Sequence, residues 1–153
     1  MSKVVAIKKI IGVDIYIPKD LEKRIYKKVD KKRVTLIRGL TTEKKVVDQI
    51  KKLTKKYKNF LIHLDSDHTA KNVLNELNVY SKFINKNNYI IVGDTIVNRI
   101  PSQKQWKRNW NRNDNPEIAL KSFLKENKNF TIDKKINYKQ MLTHNPGGYI
   151  IKK

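Results

Sequence analysis

Two hydrophobic periods alternate along this chain. Short, mostly apolar runs at Ile10–Ile15, Arg33–Ile37, Phe60–Leu64 and Tyr89–Asp94 have the length of buried strands. Between them apolar residues return at helical spacing: Leu21, Ile25 and Val29, then Val46, Val47, Ile50, Leu53 and Tyr57, then Val73, Leu74, Leu77 and Tyr80. The first predicted helix is Lys19–Val29, with Pro18 suited to its first turn. The second follows Thr42, the expected cap, with Glu43 favourable in the first turn. The third runs to about Phe83. Strand and helix in repetition predict an α/β fold with a mostly parallel sheet and right-handed crossovers.

The rhythm changes after Asp94. Thr95 to Asn115 is long and polar and carries Trp106 and Trp110, and such a loop is usually functional or disordered. Pro116–Glu126 reads as a helix, with Ile118, Ala119, Phe123 and Leu124 as its apolar positions. Phe130–Asp133 and Gly148–Ile151 read as two closing strands, an antiparallel C-terminal hairpin, with a turn at Asn145–Gly148. No repeat or linker divides the chain, so one domain over residues 1–153 is expected.

The chemistry concentrates where strands stop. Phe60 to Thr69 reads FLIHLDSDHT, an apolar run that ends in Asp65, Ser66, Asp67 and His68 and opens a helix. Ligands of open α/β sheets bind at that carboxyl edge. A carboxylate there can hold a divalent cation and a histidine can take a proton. The same residues also suit a plain helix cap, because Asp and Ser oxygens satisfy free backbone N–H groups. A second strand ending in an acid, Asp94, one β-α-β step later, favours the functional reading. Asp14 ends an earlier strand, where nucleotide-binding folds place an acid against ribose hydroxyls. The Gly-rich loop that should precede such an acid is not present in Met1–Lys9.

Composition narrows the classes. There is no cysteine, so disulfides, thiolate nucleophiles and Cys-ligated zinc are excluded. No apolar stretch approaches a membrane span, and Met1–Lys9 lacks the apolar core of a signal peptide, so a soluble cytoplasmic protein is expected. The formal net charge is +21. That charge attracts polyanions and keeps a nucleic-acid binder open as an alternative. Against a specific one, the lysines are spread along the whole chain, arginine is the minority, and no zinc-finger, RNP-like or GxxG motif occurs.

DSDHTAKNVLNELNVYSKFINKNNYIIVGDT (Asp65 to Thr95) resembles the cephalosporin hydroxylase / rhamnosyl O-methyltransferase family, Rossmann-fold relatives of S-adenosylmethionine-dependent methyltransferases. The likeness extends to IIGVDIYI, RVTLIRGLTT, EIALKSFLKENKNFTID and MLTHNPGGYI. It implies a Rossmann-like domain whose first βα unit is missing. It implies S-adenosylmethionine and Mg2+ as cofactors, with Asp65 and Asp94 as metal ligands and His68 as general base. Asp14, with Gly39 in the loop after the next strand, would meet the cofactor. Where the family usually has an acidic pair this chain reads Gly93-Asp94, one ligand short. Trp106 and Trp110 are expected to line an acceptor pocket, while His63 and His144 read as structural.

The function so implied is O-methylation of a hydroxyl on a sugar, lipid-linked glycan or natural product, and the basic composition favours an anionic acceptor. An inactive fragment, or one that pairs with a complementing N-terminal piece or with a second copy of itself, is the other expectation from the short start.

Overall fold

The computed structural model describes residues 7–101 and 108–153. Among them are two sheets and five α-helices. The chain divides into two compact units, Met1–Lys55 and Lys56–Lys153.

The first unit is a β-α-β-α run. Strand β1 (Ile10–Asp14) pairs in parallel with β2 (Val34–Arg38), Ile10 opposite Val34 and Asp14 opposite Arg38. Helix α1 (Lys19–Lys28) makes the crossover, and α2 (Lys44–Thr54) follows β2. Val46, Val47 and Ile50 of α2 are buried, as their spacing requires, and Lys44, Lys45, Lys51 and Lys52 are exposed. Thr42 does not cap this helix. Glu43 occupies the cap position and makes no side-chain cap bond. Gly39, just past β2, has φ +153°, and a Cβ there would stand 2.7 Å from Val46 Cγ2. Glycine lets the chain turn closely over α2.

The second unit carries a four-stranded sheet in the order β3-β4-β6-β5. Strand β3 (Leu61–Leu64) runs parallel to β4 (Tyr89–Val92), with α3 (Ala70–Tyr80) between them in sequence. A short 3₁₀ helix, Thr95–Arg99, and helix α4 (Pro116–Glu126) come next. Asn115 caps α4 by accepting from the amides of Glu117 and Ile118. Its buried stripe is Pro116, Ala119, Leu120 and Phe123, and it leaves Ile118 and Leu124 half-buried. Helices α3 and α4 pack together, and the Phe123 ring meets Phe130 edge-on at 5.3 Å.

The closing strands correct the expectation in two ways. β5 (Phe130–Ile132) and β6 (Tyr149–Lys152) are antiparallel to each other, but they form no hairpin. β6 lies between β5 and β4 and is antiparallel to both, so two of the three pairings in this sheet are antiparallel. The physical reason is burial: Ile150 is fully buried, paired with the equally buried Ile90 on one side and Ile132 on the other. Between β5 and β6 lies an unexpected helix, α5 (Lys134–Lys139), capped by Asp133, whose Oδ1 accepts from the amides of Lys135 and Ile136.

A candidate metal and proton-transfer site at the ends of β3 and β4

The site begins with two strand ends. Strand β3 stops at Leu64, and Asp65 is the first residue beyond it. Strand β4 stops at Val92, and Gly93 donates its N–H to the Leu64 carbonyl at 2.8 Å. A Cβ on Gly93 would lie 2.8 Å from that carbonyl and 3.0 Å from Asp65 Oδ1. Only glycine lets the two ends close this tightly. The residue that costs the chain an expected acid therefore brings the remaining two acids together.

Past Gly93 the backbone of Asp94 enters the left-handed region, φ 49° and ψ 32°. This conformation is uncommon for a residue with a Cβ. It turns the Asp94 carboxylate toward Asp65 and His68. His68 Nε2 stands 3.2 Å from Asp94 Oδ2 and 3.5 Å from Asp65 Oδ1. One ligand atom from each of the three residues falls within a sphere where all lie inside 4.8 Å of one another. The Nε2 atom is buried yet makes no aligned hydrogen bond, whereas the Asp65 side chain is 57% exposed and Asp94 36%. A nitrogen so placed, with two carboxylates open to solvent beside it, suits cation binding or proton transfer.

The spacing suits a cation. Ligands at ~2.1 Å on neighbouring vertices of an octahedron stand about 3 Å apart. The nitrogen-to-oxygen distances are close to that. Two carboxylates with one imidazole suit Mg2+, Mn2+ or Fe2+.

The loop that carries these groups is tied down from below. Thr69 caps α3, accepting from the Asn72 amide. Ser66 donates to Glu76 Oε1 at 2.7 Å, and Asn72 donates to both Ser66 Oγ and the Asp67 carbonyl. Glu76 is 1% exposed on the core face of α3, an acid where the apolar stripe leads one to expect none. Burial pushes the Tyr80 phenol up to about 12, with the nearby Glu76 charge adding to it. Asp67 stands outside the group of Asp65, His68 and Asp94, and Thr69 rather than Asp67 caps α3. Asp67 Oδ1 accepts from the Thr69 amide and from Asn109 Nδ2.

Trp110 reaches the same place. Its ring lies 5.5 Å from that of His68, tilted by 41°, and the Arg108 guanidinium carbon sits 4.2 Å from the Trp110 ring centroid. Of the two tryptophans expected at an acceptor pocket, Trp110 lies in no helix, and Trp106 lies outside the described residues. His63 is exposed on β3, and His144 serves through its backbone, its carbonyl accepting from the Ile96 amide.

The first unit holds the other expected residues. Asp14 is exposed at the end of β1, where its Oδ1 accepts from the Tyr16 amide at 2.9 Å. Gly39 donates its N–H to the Asp14 carbonyl at 3.0 Å, so the two expected cofactor residues are neighbours. An open depression of about 1330 Å3 in this unit is lined by Tyr16, Tyr26, Lys23, Lys27 and Arg38 among others, but neither Asp14 nor Gly39 lines it.

A family model described as rhamnosyl O-methyltransferase/CmcI matches residues 1–153, the whole chain. The chain belongs to the rhamnosyl O-methyltransferase/CmcI family. Family membership indicates an O-methyltransferase-like function and agrees with the α/β architecture. Among curated proteins and solved structures, none matches the chain. No helix among the described residues is long and apolar enough to cross a membrane.

Three features of the site were not read from the sequence. Glu76 was detectable as an acid on the apolar face of α3. The closure at Gly93 and the support of Asp94 by the Asn145 turn depend on strand pairing, and no local pattern announces them.

Proposed function

We propose that this protein is an S-adenosylmethionine- and divalent-cation-dependent O-methyltransferase, acting on a hydroxyl of a sugar, lipid-linked glycan or natural product. The observation that carries the reading is the convergence of Asp65, His68 and Asp94 in a chain of this family. Asp65 and Asp94 are the residues to hold Mg2+. Asp14 and Gly39 are the residues to meet the ribose of the cofactor. When bound, S-adenosylmethionine supplies an electrophilic methyl group, and the cation supplies positive charge that lowers the pKa of an acceptor hydroxyl.

The chain's own residues do the rest. His68 Nε2, held beside both carboxylates, would accept the acceptor's O–H proton as the acceptor oxygen takes the methyl group, the methyl C–S bond of the sulfonium breaking to leave a neutral thioether. Trp110 covers the imidazole on one side, which limits water there and offers an aromatic wall to a sugar ring. Arg108, stacked on Trp110, favours an anionic acceptor. A single Rossmann-like domain over residues 1–153 belongs to this reading.

The test is calorimetric titration of the 153-residue chain with S-adenosylmethionine, with and without Mg2+, beside the Asp14→Ala variant. Saturable binding that weakens in the variant supports the reading and opens acceptor screening. A folded chain that binds no cofactor defeats autonomous methyl transfer and leaves an inactive or complementing fragment. Binding of RNA that falls steeply with salt would redirect attention to the polyanion alternative.

A further inference from the structure

The sequence word NPGGY has no role in the mechanism above, yet it touches the metal site. We infer that Asn145 is a positioning residue that sets the Asp94 carboxylate for cation binding; the inference rests on the metal-site reading. Asn145 Oδ1 accepts the Asp94 N–H at 2.9 Å, from 51 residues away in sequence. That bond falls on the one site residue whose backbone is left-handed. The turn around it grips the same strand end at three further points and is closed by one bond of its own. The Val92 amide donates to the Gly148 carbonyl at 2.9 Å, and Thr95 Oγ1 donates to the Pro146 carbonyl at 3.0 Å. The Ile96 amide donates to the His144 carbonyl, and within the turn the Gly148 amide donates to the Asn145 carbonyl.

The turn has no slack. A Cβ on Gly148 would lie 2.4 Å from the Val92 carbonyl, and Gly147 has φ +78°. Asn145 is itself fixed, its amide donating to Thr143 Oγ1 at 3.1 Å. Without the Asn145 oxygen, the Asp94 amide loses its partner and the left-handed turn loses the bond that selects it. The carboxylate then no longer has a defined direction toward Asp65 and His68.

The experiment is Mn2+ titration of the full chain, read by electron paramagnetic resonance, together with hydrogen exchange at the Asp94 amide. Asn145→Leu keeps the shape and removes the acceptor, and Asn145→Asp keeps the acceptor. We expect Asn145→Leu to weaken Mn2+ binding about 10- to 100-fold, the usual scale for residues that orient a ligand. Asn145→Asp is expected to stay within about threefold of wild type or bind more tightly, on the same scale. In an Asp94→Ala background, Asn145→Leu should add nothing, because its effect runs through Asp94. The Asp94 amide should exchange faster in Asn145→Leu without metal, while the Leu77 amide is unchanged.

Wild-type Mn2+ affinity in Asn145→Leu overturns the inference, as does an equal loss in Asn145→Asp or in the Asp94→Ala background. A wild-type chain that binds no Mn2+ defeats the metal-site reading itself and this inference with it. If Asn145→Leu does not fold, unchanged Mn2+ binding in Thr95→Val with Asn145→Ala would serve as the second challenge and overturn it equally.

Discussion

The two parallel strand pairs, β1–β2 and β3–β4, end alike and differ in what they build. In each, a glycine directly after the second strand donates its N–H to the last carbonyl of the first: Gly39 to Asp14 and Gly93 to Leu64. In each, a Cβ on that glycine would press into its neighbours. The acids are offset by a single residue. Asp14 is the last residue of β1, in register with Arg38, and its carboxylate closes a local turn onto Tyr16. Asp65 is one step beyond β3, and its carboxylate meets His68. One residue is enough to redirect a side chain at a strand end. The second pair also carries Asp94 past its glycine, held by Asn145. An acid at a strand end is thus ordinary; a metal site needs further groups that converge on it.

Ligand deletions should separate the two ends most sharply. Asp65→Ala or Asp94→Ala should weaken Mn2+ binding by about 100-fold or more, beyond the 10- to 100-fold scale of an orienting residue. Asp14→Ala should stay near wild type. Mn2+ resonance titrations check this, and a comparable loss in Asp14→Ala would erase the distinction between the two ends.

The converse loss concerns the cofactor. Asp14→Ala removes an ionised hydrogen-bond acceptor, worth about 1.5–3 kcal/mol, so S-adenosylmethionine should bind about 10- to 100-fold more weakly. Asp65→Ala should leave metal-free cofactor binding as it was. Calorimetry with both variants decides, and equal losses would mean that the first unit has no separate cofactor role.

The shared closure is tested by the glycines. Gly93→Ala and Gly39→Ala should each cost about 1–3 kcal/mol in urea unfolding, since each forces a methyl into occupied space. Only Gly93→Ala should also lose Mn2+ affinity, because its Cβ meets Asp65 Oδ1. A neutral Gly93→Ala would show that the β3–β4 ends do not need to close this tightly.

The smallest effect belongs to the antiparallel half of the second unit, which has no counterpart in the first. Tyr89 donates to Asp133 Oδ2 at 2.7 Å. That bond, more than any other influence, holds the Asp133 carboxyl below its ordinary value and the Tyr89 phenol above its own. A depressed carboxyl stabilises the fold above its unfolded pKa, near 4, and loses that contribution as pH falls through the folded value. A raised phenol does so below about 10 and loses it above. Tyr89→Phe should flatten both margins of a plot of unfolding free energy against pH. Unchanged acid and alkaline slopes would count against the pair.

The alternating periods legibly mark β1, α1, β2, α2, β3, α3, β4 and α4, because strand and helix periods follow from which side chains face the core. The words DSDHT and NPGGY mark the family, and Asp65, His68 and Asp94 are legible as candidates because acids after apolar runs sit at strand ends. Asp133 before Lys134–Lys139 was a readable cap that the apolar period of a short helix was too weak to support. Only tertiary structure decided that β6 enters between β4 and β5, since an apolar run carries no sign of its direction or neighbours. It alone also decided that Gly93 closes the site and that Asn145 holds Asp94. Those two depend on atoms brought within hydrogen-bond range by strands far apart in sequence, and distance along the chain says nothing about distance in space.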